Sequence, residues 1–302
     1  MKSRTLVSFD WAIKKLLRQK ANFGILEGFL TELLKKEITI NRVLESESNK
    51  EDELDKYNQV DLLCENEEKE LILIEIQFYS ELDYFHRILY GTSKIITEYI
   101  SESYAYSEVK KVYSINILYF DLGHGKDYVY HGTCNFVGIH EQDVLQLSDK
   151  QSERFNKKGP CQIFPEIFLL KINNFNDVAK DNLDEWIYFL KNTELPPNYS
   201  AKGLMEASNK LKYEQMDTVT KEQYDAYSKQ LMVSKSVLET ARYEGEKSGI
   251  EKGIEKGIEK GMLNNKITVI LAMRADGFEL AQIAKYVGLT ENEIQEIIEK
   301  NQ

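Results

Sequence analysis

Between residues 60 and 78 the hydrophobic period of the chain becomes two, and no other feature limits the fold as much. Val60-Asp61-Leu62-Leu63-Cys64 and Leu71-Ile72-Leu73-Ile74-Glu75-Ile76-Gln77-Phe78 are apolar, β-prone runs on either side of Asn66-Glu67-Glu68-Lys69, the pattern of a hairpin. Asp61, Glu75 and Gln77 share one parity, and a five-residue loop centred on Glu68 puts Asp61 directly across from Glu75. Ile72, Ile74 and Ile76 then point the other way, into a core, while Leu71 and Leu73 share the face of the acids, which marks that face as covered by structure. Two carboxylates about 5 Å apart on a covered face repel each other, and a bound divalent cation or a raised pKa resolves the repulsion. Hard oxygen ligands favour Mg²⁺ or Mn²⁺.

The flanking sequence supplies helices. Residues 8–37 repeat at helical spacing (Phe9, Ile13, Leu16, Leu17, then Ile25, Phe29, Leu33, Leu34), broken near Asn22-Phe23-Gly24, which predicts two helices. Residues 45–55 are acidic and nearly without apolar side chains, as in a solvated loop. Residues 83–104 are helical by pattern, with Phe85, Ile88, Leu89, Ile95, Ile96 and Tyr99 as the inner stripe. Val112–Phe120 is a near-continuous apolar run, expected as a central strand buried on both faces. Tyr128–Val137, after Gly123-His124-Gly125, predicts a further strand. The order helix, two or three strands, helix, two strands gives an α/β domain.

From 151 to 243 the pattern is mostly helical, with a turn region at Asn198–Gly203. Gly249-Ile250-Glu251-Lys252 is followed by two more Gly-Ile-Glu-Lys quartets and Gly261. Four residues advance a helix by about 400°, so the isoleucines form a drifting stripe with a glycine stripe beside it. Each glycine costs roughly 1 kcal/mol relative to alanine, so this segment is either a partly helical connector or a close-packed helix used for self-association. The tail, 263–302, reads as three short helices, the last opened by Thr290 with Glu293 as a capping box. Ala284, Gly288 and Ile294 stand at helix-turn-helix spacing. The last helix carries Glu291, Glu293, Glu296 and Glu299 against Lys300 alone, which disfavours phosphate, so a packing or oligomerisation unit is the expectation. The segments are thus 1–150, 151–243, 244–262 and 263–302.

Charge narrows the partners. Thirty-nine Lys and Arg against fifty Asp and Glu leave −11, a field that repels nucleic acid and anionic membranes, so any nucleic-acid role rests on a local site. A basic face is expected near Lys14, Lys15, Arg18, Lys94, Lys110 and Lys111. No stretch of about 18 apolar residues is present to span a bilayer, and the start of the chain lacks the pattern of a signal peptide. Cys64, Cys134 and Cys161 are scattered without CxxC spacing, which points to a reducing cytoplasm and against a disulfide framework or zinc site. The four histidines have no metal-ligand spacing, and neither GxSxG nor a phosphate-binding glycine loop occurs.

Asp61, a thirteen-residue gap and Ile74-Glu75-Ile76-Gln77 resemble the D…(D/E)xK active site of the PD-(D/E)XK nucleases, with glutamine in the lysine position. More narrowly, the chain is similar to the bacterial recombination-promoting nuclease and putative transposase family. Phe9-Asp10-Trp11-Ala12-Ile13-Lys14, Glu27-Gly28-Phe29-Leu30, Lys56, Arg87 with Tyr90, Ser114-Ile115-Asn116-Ile117-Leu118 and the quartets also fit that family. The resemblance implies a restriction-endonuclease-like core, a mixed sheet flanked by helices, with a mostly helical carboxyl-terminal region. It implies that Asp61, Glu75 and the carbonyl of Ile76 bind Mg²⁺ or Mn²⁺, that Gln77 orients a water or a phosphate oxygen, and that Glu27 is an outer metal ligand or an ordinary surface glutamate. Lys14 and Arg87 are candidates for phosphate contact, with helix or structural ion pairs as the alternative for each. The function so implied is a Mg²⁺-dependent DNA endonuclease linked to recombination or mobile DNA. The alternative is a catalytically weak relative acting as an oligomerising interaction module.

Overall fold

The computed structural model describes residues 6–15, 17–44, 61–100 and 105–301, the side chains of residues 14 and 15 excepted. Two compact units result, one up to Tyr224 and one from Asp225. In the first, α1 (Phe9–Lys15) and α2 (Phe23–Leu34) precede β1 (Ile40–Leu44), β2 (Leu62–Asn66) and β3 (Leu71–Gln77). There follow α3 (Tyr84–Glu98), β4 (Val112–Leu118), β5 (Val129–Gly132), α4 (Asp149–Phe155), β6 (Glu166–Lys171), α5 (Asn182–Asn192) and α6 (Leu204–Lys210). One mixed sheet has the order β1-β2-β3-β4-β6-β5. Strands β1, β2 and β3 are antiparallel, β3, β4 and β6 run parallel, and β5 returns antiparallel to β6.

The hairpin has the expected register. Leu62 pairs with Ile74, Leu63 with Leu73 and Cys64 with Ile72, a centre at Glu68 that sets Asp61 opposite Glu75. Asn66 closes the loop, its Oδ1 accepting from the Glu70 amide at 2.8 Å, and Lys69 takes the left-handed conformation (φ 61°) that the tight return demands. Leu63, Leu71, Leu73 and Val112 pack with Ile95 of α3, and Leu118 and Phe120 with Tyr84 and Ile88. The acid-bearing face is therefore covered by α3. Ile72, Ile74, Ile76, Ile115 and Ile117 of the alternate parity are buried too. Phe9 of α1, Phe29 of α2, and Trp186 and Phe189 of α5 meet edge to face, a second layer rich in aromatic area. All seven residues of β4 are buried, as its near-continuous apolar run predicts.

The 151–243 segment, read as mostly helical, also supplies a strand. Its Ile167-Phe168-Leu169-Leu170 run lies between Glu166 and Lys171, too short for periodicity to separate strand from helix. Tertiary pairing decides it: β6 inserts between β4 and β5. With α5 in the aromatic cluster, the sheet and its core continue past residue 150.

One half-buried ion pair, Lys36 with the buried Glu70, gives this unit an acid-sensitive lock. Burial pushes the Glu70 carboxyl up, yet hydrogen bonds from Lys36 and Asn66 outweigh it and hold the carboxyl below its ordinary 4.5. A lowered folded-state value means stability that is present above the ordinary carboxylate range and lost as pH falls through the folded value. Glu70→Gln is expected to cost about 2 kcal/mol at pH 7 and much less at pH 3. Urea denaturation at both pH values checks this, and an equal loss at both would exclude the ion pair as the cause.

Helix α7 (Thr218–Ala275) runs without interruption through the quartets. In the second unit its end packs with α8 (Leu280–Val287) and α9 (Glu291–Lys300) around Ile270, Ile283, Ile294 and Ile298. Gly288 ends α8 at φ 70°, and the Thr290–Glu293 capping box opens α9. No helix among the described residues is long and apolar enough to cross a membrane.

Candidate active site

Asp61 sits one residue before β2, where the hairpin opens. Its Oδ2 accepts from the amide of Ile76 at 2.6 Å, and its main-chain oxygen accepts from Arg18 Nη2 at 2.7 Å. The carboxylate is thus anchored to the strand that carries Glu75. Within a strand the N–H and C=O of one residue point to the same edge, so the Ile76 carbonyl also faces the Asp61 side, whereas the Gln77 carbonyl faces β4 and accepts from Tyr119 N at 2.9 Å. The side chain of Glu75 is 13% exposed. Burial pushes its carboxyl up to about 7; Arg87 opposes the rise, and the charges of Asp61 and Glu81 add to it.

The helix after the hairpin brings the cation. Arg87 of α3 lies with Nε 3.9 Å from Glu75 Oε2, and its Nη1 donates to both oxygens of Glu81 at 2.9 and 3.2 Å. Gln77 Nε2 donates to the same Glu81 Oε1 at 2.6 Å. Glu81 therefore ties the glutamine of the motif to the arginine of α3. Beside Glu75 in the β3–β4 register stands Asn116, fully buried, its Oδ1 accepting from Tyr84 OH at 3.1 Å and its Nδ2 donating to Ser114 Oγ at 3.1 Å and to the Phe168 carbonyl at 3.2 Å. Burial, and next the Glu75 charge, raise the Tyr84 phenol well above its usual range, so it stays a neutral donor.

Glu81, Tyr84 and Asn116 have no role in the site by sequence reasoning alone, and Arg18, expected on a basic face, instead donates to the Asp61 carbonyl. A signal existed for two of them. Ser114 and Asn116 are polar at alternate positions of an otherwise apolar strand, and Glu81 follows Gln77 by four residues.

Other expected members are not brought to this place. Glu27 of α2 closes the start of β1, its Oε1 accepting from the Ile40 amide at 2.8 Å. Its charge is felt by Cys64, whose thiol burial pushes up to about 12 and whose side chain is on the hairpin face opposite Glu75. Among the described residues no three His, Cys, Asp or Glu side chains group to hold a metal ion. Lys110 and Lys111 do not form an open basic face either. Lys110 is paired with Glu65, and Lys111, 7% exposed, is bonded to Glu166 at 2.9 Å and to the Cys161 carbonyl at 2.8 Å. Lys56 and the side chains of Lys14 and Lys15 lie outside the described residues.

An anchored acidic pair at the open end of a hairpin, under a helix that brings an arginine, is joined here to a mixed sheet. A family model described as PD-(D/E)XK nuclease family transposase matches residues 7–241. The chain belongs to this family. The six-stranded sheet flanked by helices is its restriction-endonuclease-like core, and membership gives a nuclease or transposase-like role with DNA as the implied substrate. No curated protein and no solved structure matches the chain. PD-(D/E)XK nucleases typically use divalent metals, and the donor set here fits one. Two carboxylates and a carbonyl are hard oxygen ligands, and a glutamate that burial raises to about 7 in spite of Arg87 is one whose charged form a bound cation would favour.

Proposed function

We propose that this protein is a Mg²⁺- or Mn²⁺-dependent DNA endonuclease, hydrolysing phosphodiester bonds in recombination or on mobile DNA. The observation that carries the reading is the pairing of Asp61 with Glu75 across the hairpin, with Asp61 Oδ2 fixed to the Ile76 amide at 2.6 Å and Glu75 nearly buried. Asp61, Glu75 and the Ile76 carbonyl would hold the metal, which when bound lowers the pKa of a water and stabilises charge on the transferring phosphoryl group. Two carboxylates suffice, since Mg²⁺ keeps several of its waters.

The remaining roles belong to the chain. Gln77 carries no charge and acts by hydrogen bonding, orienting a water or a phosphate oxygen. Arg87 contacts the phosphate and supplies the positive charge that glutamine lacks. Glu81 holds both donors in line, and a phosphate oxygen entering the site competes with it for them. Lys14 is proposed as a second phosphate contact. Arg87→Ala is expected to slow cleavage about 100-fold, and Arg87→Lys less than about tenfold, because charge matters more here than the fork geometry. Equal loss in both would assign Arg87 to binding geometry instead.

A second reading, a catalytically weak nuclease-fold protein acting as an interaction module, is favoured by the missing lysine charge at Gln77. Plasmid nicking by the full chain at low salt with Mg²⁺, Mn²⁺ or EDTA separates the two. Metal-dependent nicking is the expected result. A folded protein that neither nicks nor binds Mn²⁺ would establish the second reading.

A further inference from the structure

We propose that Glu81 is a built-in competitor for the substrate phosphate: in the free protein its carboxylate fills the place of a phosphate oxygen between Gln77 and Arg87, and DNA binds there by displacing it. This role rests on the proposed reading of the site, in which Gln77 and Arg87 meet the phosphate. Two donors converge on a single oxygen. Gln77 Nε2 at 2.6 Å and Arg87 Nη1 at 2.9 Å both donate to Glu81 Oε1, and Arg87 Nη1 reaches Oε2 at 3.2 Å. An amide and a guanidinium aimed at one anionic oxygen is an arrangement that suits a phosphate oxygen equally well. While Glu81 is seated, the donors that meet there are already engaged.

The carboxylate is held so that it can leave. Glu81 lies between the end of β3 at Gln77 and the start of α3 at Tyr84, so its movement disrupts no helix or strand. Its side chain is 33% exposed, against 13% for Glu75, and rotation about its own bonds carries the carboxylate into water. Among the described residues, Gln77 and Arg87 are its only side-chain donors. A ligand that must displace an internal competitor binds more weakly, by the fraction of molecules in which the donors are free. A brace and a competitor make the same contacts, yet they differ in sign. Removing a brace loosens Gln77 and Arg87 and weakens phosphate binding, whereas removing a competitor strengthens it.

Fluorescence anisotropy of the full chain with a labelled DNA duplex, in EDTA and again in Ca²⁺, reads binding apart from nicking. Glu81→Ala is expected to bind the duplex at least about fivefold tighter than the wild type. Glu81→Gln, which keeps the size of the side chain but not its charge, is expected to be tighter by a smaller factor. Removing any acidic charge near DNA favours binding, so Glu81→Ala is also made in an Arg87→Ala background. There the gain is expected to fall below about twofold, because the donor that Glu81 blocks is gone. Affinity unchanged or weakened in both Glu81 variants, with circular dichroism and melting as in the wild type, identifies a brace and overturns the proposal. A gain that persists in full without Arg87 is a charge effect alone and overturns it as well. Duplex binding by none of these proteins at about 100 μM overturns it together with the nuclease reading. Binding that tightens in Glu81→Ala, beside a wild type that never nicks plasmid, shows that Glu81 competes for phosphate in a protein that is no nuclease.

Discussion

Glu75→Gln is expected to slow the proposed metal-dependent plasmid cleavage by at least about 10³-fold without lowering the melting temperature. The two halves of this expectation come from one fact. The Glu75 side chain is 13% exposed, with Asp61 and Glu81 adding negative charge and Arg87 as the opposing cation at 3.9 Å. An isosteric amide keeps the shape and removes a charge that burial disfavours, so the fold is expected to lose nothing while the proposed metal site loses a ligand. Asp61→Ala separates the same two effects differently. It is expected to abolish the proposed cleavage too, but it strips the Ile76 amide of its acceptor and is expected to cost about 1–2 kcal/mol of stability. Cleavage rates and melting curves of both variants, taken in parallel, check this. Cleavage by Glu75→Gln within tenfold of the wild type would remove Glu75 from the metal site.

Gly28→Ala destabilises the first unit by about 3 kcal/mol or more. A Cβ at Gly28 would stand 2.2 Å from the carbonyl oxygen of Lys202 and 2.7 Å from its carbon, backbone atoms that cannot swing aside. The contact is reciprocal. Gly203 opens α6 at φ 79°, and its own Cβ would approach the Gly24 carbonyl oxygen to 2.9 Å, so both residues are glycine for conformation and for space. Gly24→Ala is the control, because its Cβ would press only on the carboxylate end of Glu206 at 3.0 Å, a flexible side chain on the surface. Its cost is expected below about 1 kcal/mol. Urea denaturation of the three proteins tests the pair. A Gly28→Ala variant as stable as Gly24→Ala would mean that the turn before α6 is not seated on α2, and that residues beyond 200 are dispensable to the sheet domain.

Much of the site was legible in the sequence because strands report themselves through alternation. The isoleucines of 72–76 and the acids of 61 and 75 fixed both the parity and, through the loop, the register, and the structure has that register. The capping box of α9 was legible for a similar reason, since Thr290 and Glu293 interact locally. Where local pattern is silent, the sequence was silent too. Glu27 had the residue type of a metal ligand, but its place beside the Ile40 amide depends on how α2 lies against β1. Lys110 and Lys111 had the charge of a phosphate-binding face, yet Glu65 and Glu166, distant in sequence, claim them.

By itself, then, the sequence determined the hairpin, the pairing of its two carboxylates, the buried central strand and the helical tail, because each follows from periodicity within about 20 residues. The tertiary structure decided the rest. A four-residue apolar run became β6 because the edge of β4 was there to receive it. Arg87 and Gln77 met at Glu81 because α3 folds back over the face of β3. Those outcomes rest on packing between segments far apart in the chain, where the free energy lies in the contact and neither partner's sequence carries it alone.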